Sequence, residues 1–213
     1  YMSATHGRLG HTKGKEAKSK KYDGGTLFVD HATQYIHCTH QVLLQVGRTL
    51  KAKTLFEGWA KESGHNITHY HADNAPFKAE DFVQDCTNKS QTISYSGVGA
   101  HHQNGIVENK NKILTQGART LLLHAMRMWP NMIEEILWPF ALKAVAERLN
   151  KLQINSLGQS PESIMHGIES EDIPVKKFHT LFCSIYVLDS RLQSAGGAGP
   201  PKWEPCSRIG VYI

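Results

Sequence analysis

Ile67-Thr68-His69-Tyr70-His71-Ala72 reads as a strand that runs into Asp73-Asn74. Lys78 to Cys86 follows as a short helix with Phe82 and Val83 on its inner face, and Gln91 to Tyr95 is the next strand. A strand, a helix and a second strand in quick succession are the repeating unit of an α/β fold.

Upstream, Gly24-Gly25 punctuate the entry to Thr26-Leu27-Phe28-Val29-Asp30, a short buried strand. Tyr35 to Thr39 alternates like a second strand, hairpin-paired with the first, and Val42 to Gln45 reads as a third. Residues 48–62 have Leu50, Thr54, Leu55 and Trp59 at helical spacing, and Gly64 sits where a C-cap belongs. Downstream, the flexible stretch Ser96-Gly97-Val98-Gly99 leads to a long helix over 104–126. Its apolar stripe is Val107, Leu114, Ala118, Leu121 and Ala125. A second helix starts with Pro139 in its first turn, and Ser160-Pro161-Glu162 opens a third behind an N-cap serine. Phe182 to Leu188 returns to strand, and Gly196 to Pro201 separates it from a last strand. The fold expected is α/β: a hairpin-led sheet with helices on both sides.

The chain has 213 residues, 40% of them hydrophobic and 20% charged, which excludes wholesale disorder. No apolar run approaches the ~20 residues of a membrane span, and no signal peptide is visible. The start at Tyr1 and the end in a strand suggest a piece of something longer. The net charge is +5, and most of it lies in residues 1–24, where Arg8, Lys13, Lys15, Lys18, Lys20 and Lys21 face only Glu16 and Asp23. Such a segment is either a solvated linker or an arm that touches a polyanion.

Cys38, Cys86, Cys183 and Cys206 form no CxxC pair, so neither a zinc site nor a disulfide framework is expected and a reducing compartment is the simpler reading. His69 and His71 alternate along a strand and share a face. Two histidines make a zinc site only with further ligands, so exposed or core histidines are the default.

Three carboxylates stand out by position. Asp30 ends one strand, Asp73 ends another, and Glu108 lies in the first turns of the long helix. Open α/β sheets place sites at strand carboxyl ends, and converging carboxylates bind hard divalent cations. Aspartate also ends strands, and glutamate opens helices, for purely structural reasons. On the long helix, Glu108, Asn111, Lys112, Thr115 and Arg119 form a polar stripe. It offers an acid for a cation and lysine and arginine for phosphate, and it also fits a solvated helix face.

Phe28-Val29-Asp30, His71-Ala72-Asp73-Asn74 and His102-Gln103-Asn104-Gly105-Ile106-Val107-Glu108 together resemble the integrase core of long-terminal-repeat retroelements, the D,D,E family. Glu108 follows Asp73 by 35 positions, close to that family's spacing. Trp138-Pro139 and Ser160-Pro161-Glu162 agree too, and the region from Tyr186 to Tyr212 is similar to the segment after the core in copia-type elements.

The resemblance covers roughly residues 22–213. It implies a ribonuclease H-like fold, a five-stranded mixed sheet flanked by helices, with the start of a small β-rich extension at the C-terminus. The implied domains are a basic flexible arm or linker over 1–24, the catalytic core over 25–168 and a truncated extension over 169–213. It implies 3′-end processing of element DNA and strand transfer into target DNA, with Asp30, Asp73 and Glu108 holding two Mg2+ (or Mn2+) ions. One ion would ready the attacking water or 3′-hydroxyl, and the other would stabilise the leaving 3′-oxygen. Asn104 would take the DNA-contacting place in the flexible loop, Asn111 and Lys112 would follow as a polar and a phosphate-contacting residue, and Arg119, Lys18, Lys20 and Lys21 would add cations. The expected partners are element ends and target DNA, with a homo-oligomer as the active form, no membrane, and a nuclear location with a cytoplasmic particle stage.

Ala75 stands where that family commonly has glycine, and Asn109 where copia-type cores often have arginine. The amino-terminal zinc domain is absent from this sequence. A catalytically idle DNA-binding remnant or host-adopted fragment is therefore the alternative. A hybrid-cleaving ribonuclease H shares the fold but usually carries a further acid and lacks the His102–Glu108 context.

Overall fold

The computed structural model describes residues 2–6, 22–73, 77–97, 104–152, 154–169, 179–189, 192 and 203–213. The strands are β1 (Met2–His6), β2 (Gly24–Val29), β3 (Ile36–Gln41), β4 (His69–Ala72), β5 (Thr92–Tyr95), β6 (Ser184–Leu188) and β7 (Ser207–Val211). The helices are α1 (Val46–Glu62), α2 (Glu80–Asn88), α3 (Gly105–Met128), α4 (Trp138–Leu152) and α5 (Pro161–His166), with a 3₁₀ turn over Glu135–Leu137.

The central sheet is mixed, with strand order β3-β2-β1-β4-β5. β1, β2 and β3 are antiparallel in sequence, while β1, β4 and β5 are parallel. β2 is buried along its whole length. Leu27 and Val29 face the core under α3 and α4, and Phe28 faces the core shared with α1 and α2. A strand covered on both faces needs apolar residues at consecutive positions, which explains the unbroken run in β2. Gly25 is required there: a Cβ would collide with the Thr39 carbonyl of β3.

β3 is an edge strand, and α4 closes it. The Asn150 side chain accepts from the Ile36 amide at 2.8 Å and donates to the Ile36 carbonyl at 2.8 Å, standing in for a neighbouring strand. α3 and α4 meet closely at Gly117, where a Cβ would lie 3.0 Å from the Val145 methyl. α5 starts as its sequence implies: Ser160 and Ser163 form a reciprocal capping box with Pro161 in the first turn. β6 and β7 make a separate antiparallel pair, joined to the main core through Phe182, Leu181 and Val211.

Three sequence expectations need correction. Residues 2–6 are not part of a flexible arm: they form β1, in the middle of the sheet. Met-Ser-Ala-Thr-His has little strand propensity of its own, so pairing with β2 and β4 decides its state. Residues 7–21, with Lys18, Lys20 and Lys21, lie outside the described residues. Val42 to Gln45 is not a strand, because β2 begins at Gly24, opposite Gln41, and offers no partner beyond it. The buried stripe of α3 runs Val107, Lys110, Leu114, Ala118, Leu122 and Ala125, so Leu122 replaces Leu121 and a lysine stem joins the core.

Candidate active site

Asp73 is half-buried, directly after β4, and Glu108 is exposed in the first turn of α3, where a carboxylate complements the helix dipole. The Ser96 amide donates to the Ala72 carbonyl at 3.1 Å, so the end of β5 stays beside the end of β4 before the chain turns towards α3. Lys112 and Arg119 are exposed on α3, one and three turns beyond Glu108. An acid beside exposed cations on one helix face suits a phosphate backbone.

Asp30 does not join this arrangement. β2 runs antiparallel to β1, and β1 runs parallel to β4, so Asp30 and Asp73 leave the sheet in opposite directions. Phe28 and Ala72 are level through Met2, which puts Asp30 and Asp73 three residues apart along the strands and two strands apart across them. That is roughly 14 Å between Cα atoms, too far for two carboxylates to share one cation. Instead, Asp30 Oδ2 accepts from the Thr33 amide at 2.7 Å and the Thr33 hydroxyl at 2.8 Å, closing the β2–β3 turn. Among the described residues no three His, Cys, Asp or Glu side chains group to hold a metal ion. As placed, Asp30, Asp73 and Glu108 do not fit a three-carboxylate site. The sequence pattern could mark both aspartates as strand-ending but could not give strand direction.

Two further site residues are placed differently from expectation. Asn104 is buried at 1% exposure, so its side chain is not on an outer surface that DNA would touch. Asn111 faces inwards, towards Thr26, His40 and Trp138. On α3, Asn111 is half-buried beside the inner stripe, while Glu108, Lys112 and Arg119 are exposed.

The β4 and β5 faces carry a polar ladder whose contacts the sequence alone did not give. His69 bonds the Thr92 hydroxyl at 2.7 Å and the Ser94 hydroxyl at 2.9 Å, and His71 bonds Ser94 at 2.8 Å and Ser96 at 3.4 Å. The two histidines share a face as the alternation implies, and their ring nitrogens meet hydroxyls. Lys53 was missed as well. It is fully buried, 2.6 Å from both Glu57 and Asp85 and 2.7 Å from Gln91. The i,i+4 pairs Lys53/Glu57 and Asp85/Lys89 are visible in the sequence, but their union across α1 and α2 is not.

No family model matches the chain, and no curated protein matches it. Solved structures do. The integrase catalytic core domain of HTLV-2 in complex with magnesium, in a dimeric form, matches with TM-score 0.52 and 22% identity, over 78% of this chain and 93% of that one. The simian T-cell lymphotropic virus intasome in complex with the PP2A regulatory subunit B56 gamma gives TM-score 0.56 and 18% identity, over 98% of this chain and 67% of that one. The catalytic core domain of BIV integrase gives 0.52 and 16%, over 77% and 90%. At these identities the likeness is one of fold: this chain has the mixed α/β fold of retroviral integrase catalytic cores.

Proposed function

We propose that the chain is the catalytic core of a copia-type retroelement integrase, a polynucleotidyl transferase that processes element DNA ends and joins them to target DNA. The observation that carries this reading is the coincidence of two independent features. The fold is that of integrase cores, and within it Asp73 ends β4 while Glu108 opens α3, 35 positions later. Lys112 and Arg119 then bind DNA phosphate from α3, joined by the basic residues of 7–21. The reaction uses Mg2+ or Mn2+, the DNA partners are element ends and target, the active form is a homo-oligomer on DNA, and the place of action is the nucleus.

Asp73 and Glu108 are the acids of this proposal, and Asp30 is a turn residue. One observation favours the alternative, an idle DNA-binding remnant: the described acids do not assemble a three-ligand metal group. Incubating the chain with a labelled duplex end, a target duplex and Mg2+ or Mn2+ separates the two. Joined products support the transferase. DNA binding without any joined product supports the remnant.

A further inference from the structure

β4 and β5 are parallel neighbours at one end of the sheet. Parallel strands are ordinarily covered on both faces. Here one face is covered: Tyr70, Ala72, Ile93 and Tyr95 pack into the core shared with α1 and α2. On the other side α3 packs over β1 and β2, and α4 over β3. Neither apolar core takes a side chain from that side of β4 or β5, and His69 and Thr92 are exposed on it.

Strand alternation gives this open face His69, His71 and, just past the end of β4, Asp73, with Thr92, Ser94 and Ser96 beside them. The register sets His69 level with Thr92 and His71 level with Ser94. These side chains include no apolar one and, before Asp73, no carboxylate. A face that docks a helix or another protein carries aliphatic or aromatic side chains at its centre. Hydroxyls and imidazoles are hydrogen-bonding partners for phosphate oxygens. They are also held ready: the two rings share the Ser94 hydroxyl at 2.9 and 2.8 Å, so little rotamer freedom is left to lose when a ligand binds. Successive positions on the face stand about 6.6 Å apart along β4, close to the separation of neighbouring phosphates on one nucleic-acid strand.

We propose that the open β4–β5 face is a floor for a DNA strand, whose phosphates lie on the His69/Thr92 and His71/Ser94 rungs and bring the strand to Asp73. The proposal rests on the reading that this chain acts on DNA, and it adds a sheet surface to the contacts of α3. Charge selects the occupant. No carboxylate opposes a phosphate along the two rungs, and the nearest acid on the face, Asp73, stands only at its end. The helix over the neighbouring β1 is α3, with Lys112 and Arg119 exposed.

Charge placed on the face tests it in the full chain, read as anisotropy of a labelled duplex across a salt series. Thr92 is exposed on the face, and Thr54 is exposed on α1, on the other side of the sheet. Thr92→Lys should tighten binding about fivefold and steepen the salt slope by about 0.9, one further phosphate contact, while Thr54→Lys should stay within about twofold of wild type. His69→Glu with Thr92→Glu should weaken binding about tenfold or more, and Thr54→Glu should not. Circular dichroism checks that each variant is folded. Equal effects of lysine at 92 and at 54 overturn the proposal, and so does a double glutamate variant that binds as wild type does. Wild-type protein that binds no duplex overturns it together with the DNA reading. The same proteins run in the joining assay separate the two ideas: the expected binding pattern with no joined product leaves the floor standing and removes the transferase.

Discussion

His37 stands on β3 with its ring centroid 5.3 Å from Phe56 and 5.4 Å from Trp59. Burial lowers its pKa from 6.5 to about 4. The unfolded chain therefore takes up this proton at a higher pH than the folded one, and stability falls as pH drops from 6.5 towards 4. His37→Phe keeps the aromatic packing and removes the proton. Urea melts at several pH values should show a shallower loss over that window than wild type. His40 is also lowered by burial and contributes a slope that remains. Asp30 is decided at the same scale. Asp30→Asn keeps an oxygen for the Thr33 amide, so it should leave both fold and any DNA joining near wild type. Asp30→Ala should cost about 1 kcal/mol of stability, one net hydrogen bond of this kind. Joining abolished by Asp30→Asn in a folded protein would return Asp30 to the site.

Lys53, Glu57, Asp85, Lys89 and Gln91 tie α1, α2 and the approach to β5 together, with the Lys53 ammonium 5.2 Å from the Tyr70 ring centroid. Burial works to raise the pKa values of Glu57 and Asp85, but hydrogen bonds from Lys53 and Lys89 outweigh it and hold both below their ordinary values. Depressed carboxylate pKa values stabilise at neutral pH and lose that contribution in acid, here as pH falls below about 4.5. Lys53→Met leaves Glu57 and Asp85 to share the half-exposed Lys89 as their cation and should destabilise by about 3 kcal/mol, read by urea denaturation. Triple replacement of Lys53, Glu57 and Asp85 by Met, Leu and Leu should recover most of that loss. A Lys53→Met protein as stable as wild type would show the cluster to be incidental.

Element by element, the sequence was readable wherever a pattern was local. β2, α1, α3 and α5 carried their own periodicity, caps and glycines, and they form where these signals put them. What failed depended on partners. Met2–His6 is a strand because β2 and β4 flank it, and Val42–Gln45 is not one because β2 has already begun. The same limit governs the site. Asp30, Asp73 and Glu108 were each correctly read as ends or beginnings of elements, but whether two strand ends meet depends on strand direction, which no local pattern encodes.

Across the whole molecule, six cations between Arg8 and Lys21 supply most of a +5 net charge. Removing residues 1–21 would also remove β1, so charge must be changed without changing the sheet. Replacing those six residues by glutamine should weaken DNA binding and flatten its salt dependence, by a slope of about 0.9 for each phosphate that is no longer neutralised. Fluorescence anisotropy across a salt series reads this. An unchanged slope would place the contacts on Lys112, Arg119 and the rest of the folded body.

The central claim is that this fold joins DNA through Asp73 and Glu108. Its most direct test is one strand-transfer assay, run with Mg2+ and with Mn2+ on wild type, Asp73→Asn and Glu108→Gln, each shown to be folded by circular dichroism. The prediction is metal-dependent joining of a duplex end to target DNA by wild type and at least about a hundredfold loss in either variant, since an amide replaces a cation-binding carboxylate poorly. Joining that survives both substitutions, or wild-type protein that binds DNA and joins none with either metal, would contradict it.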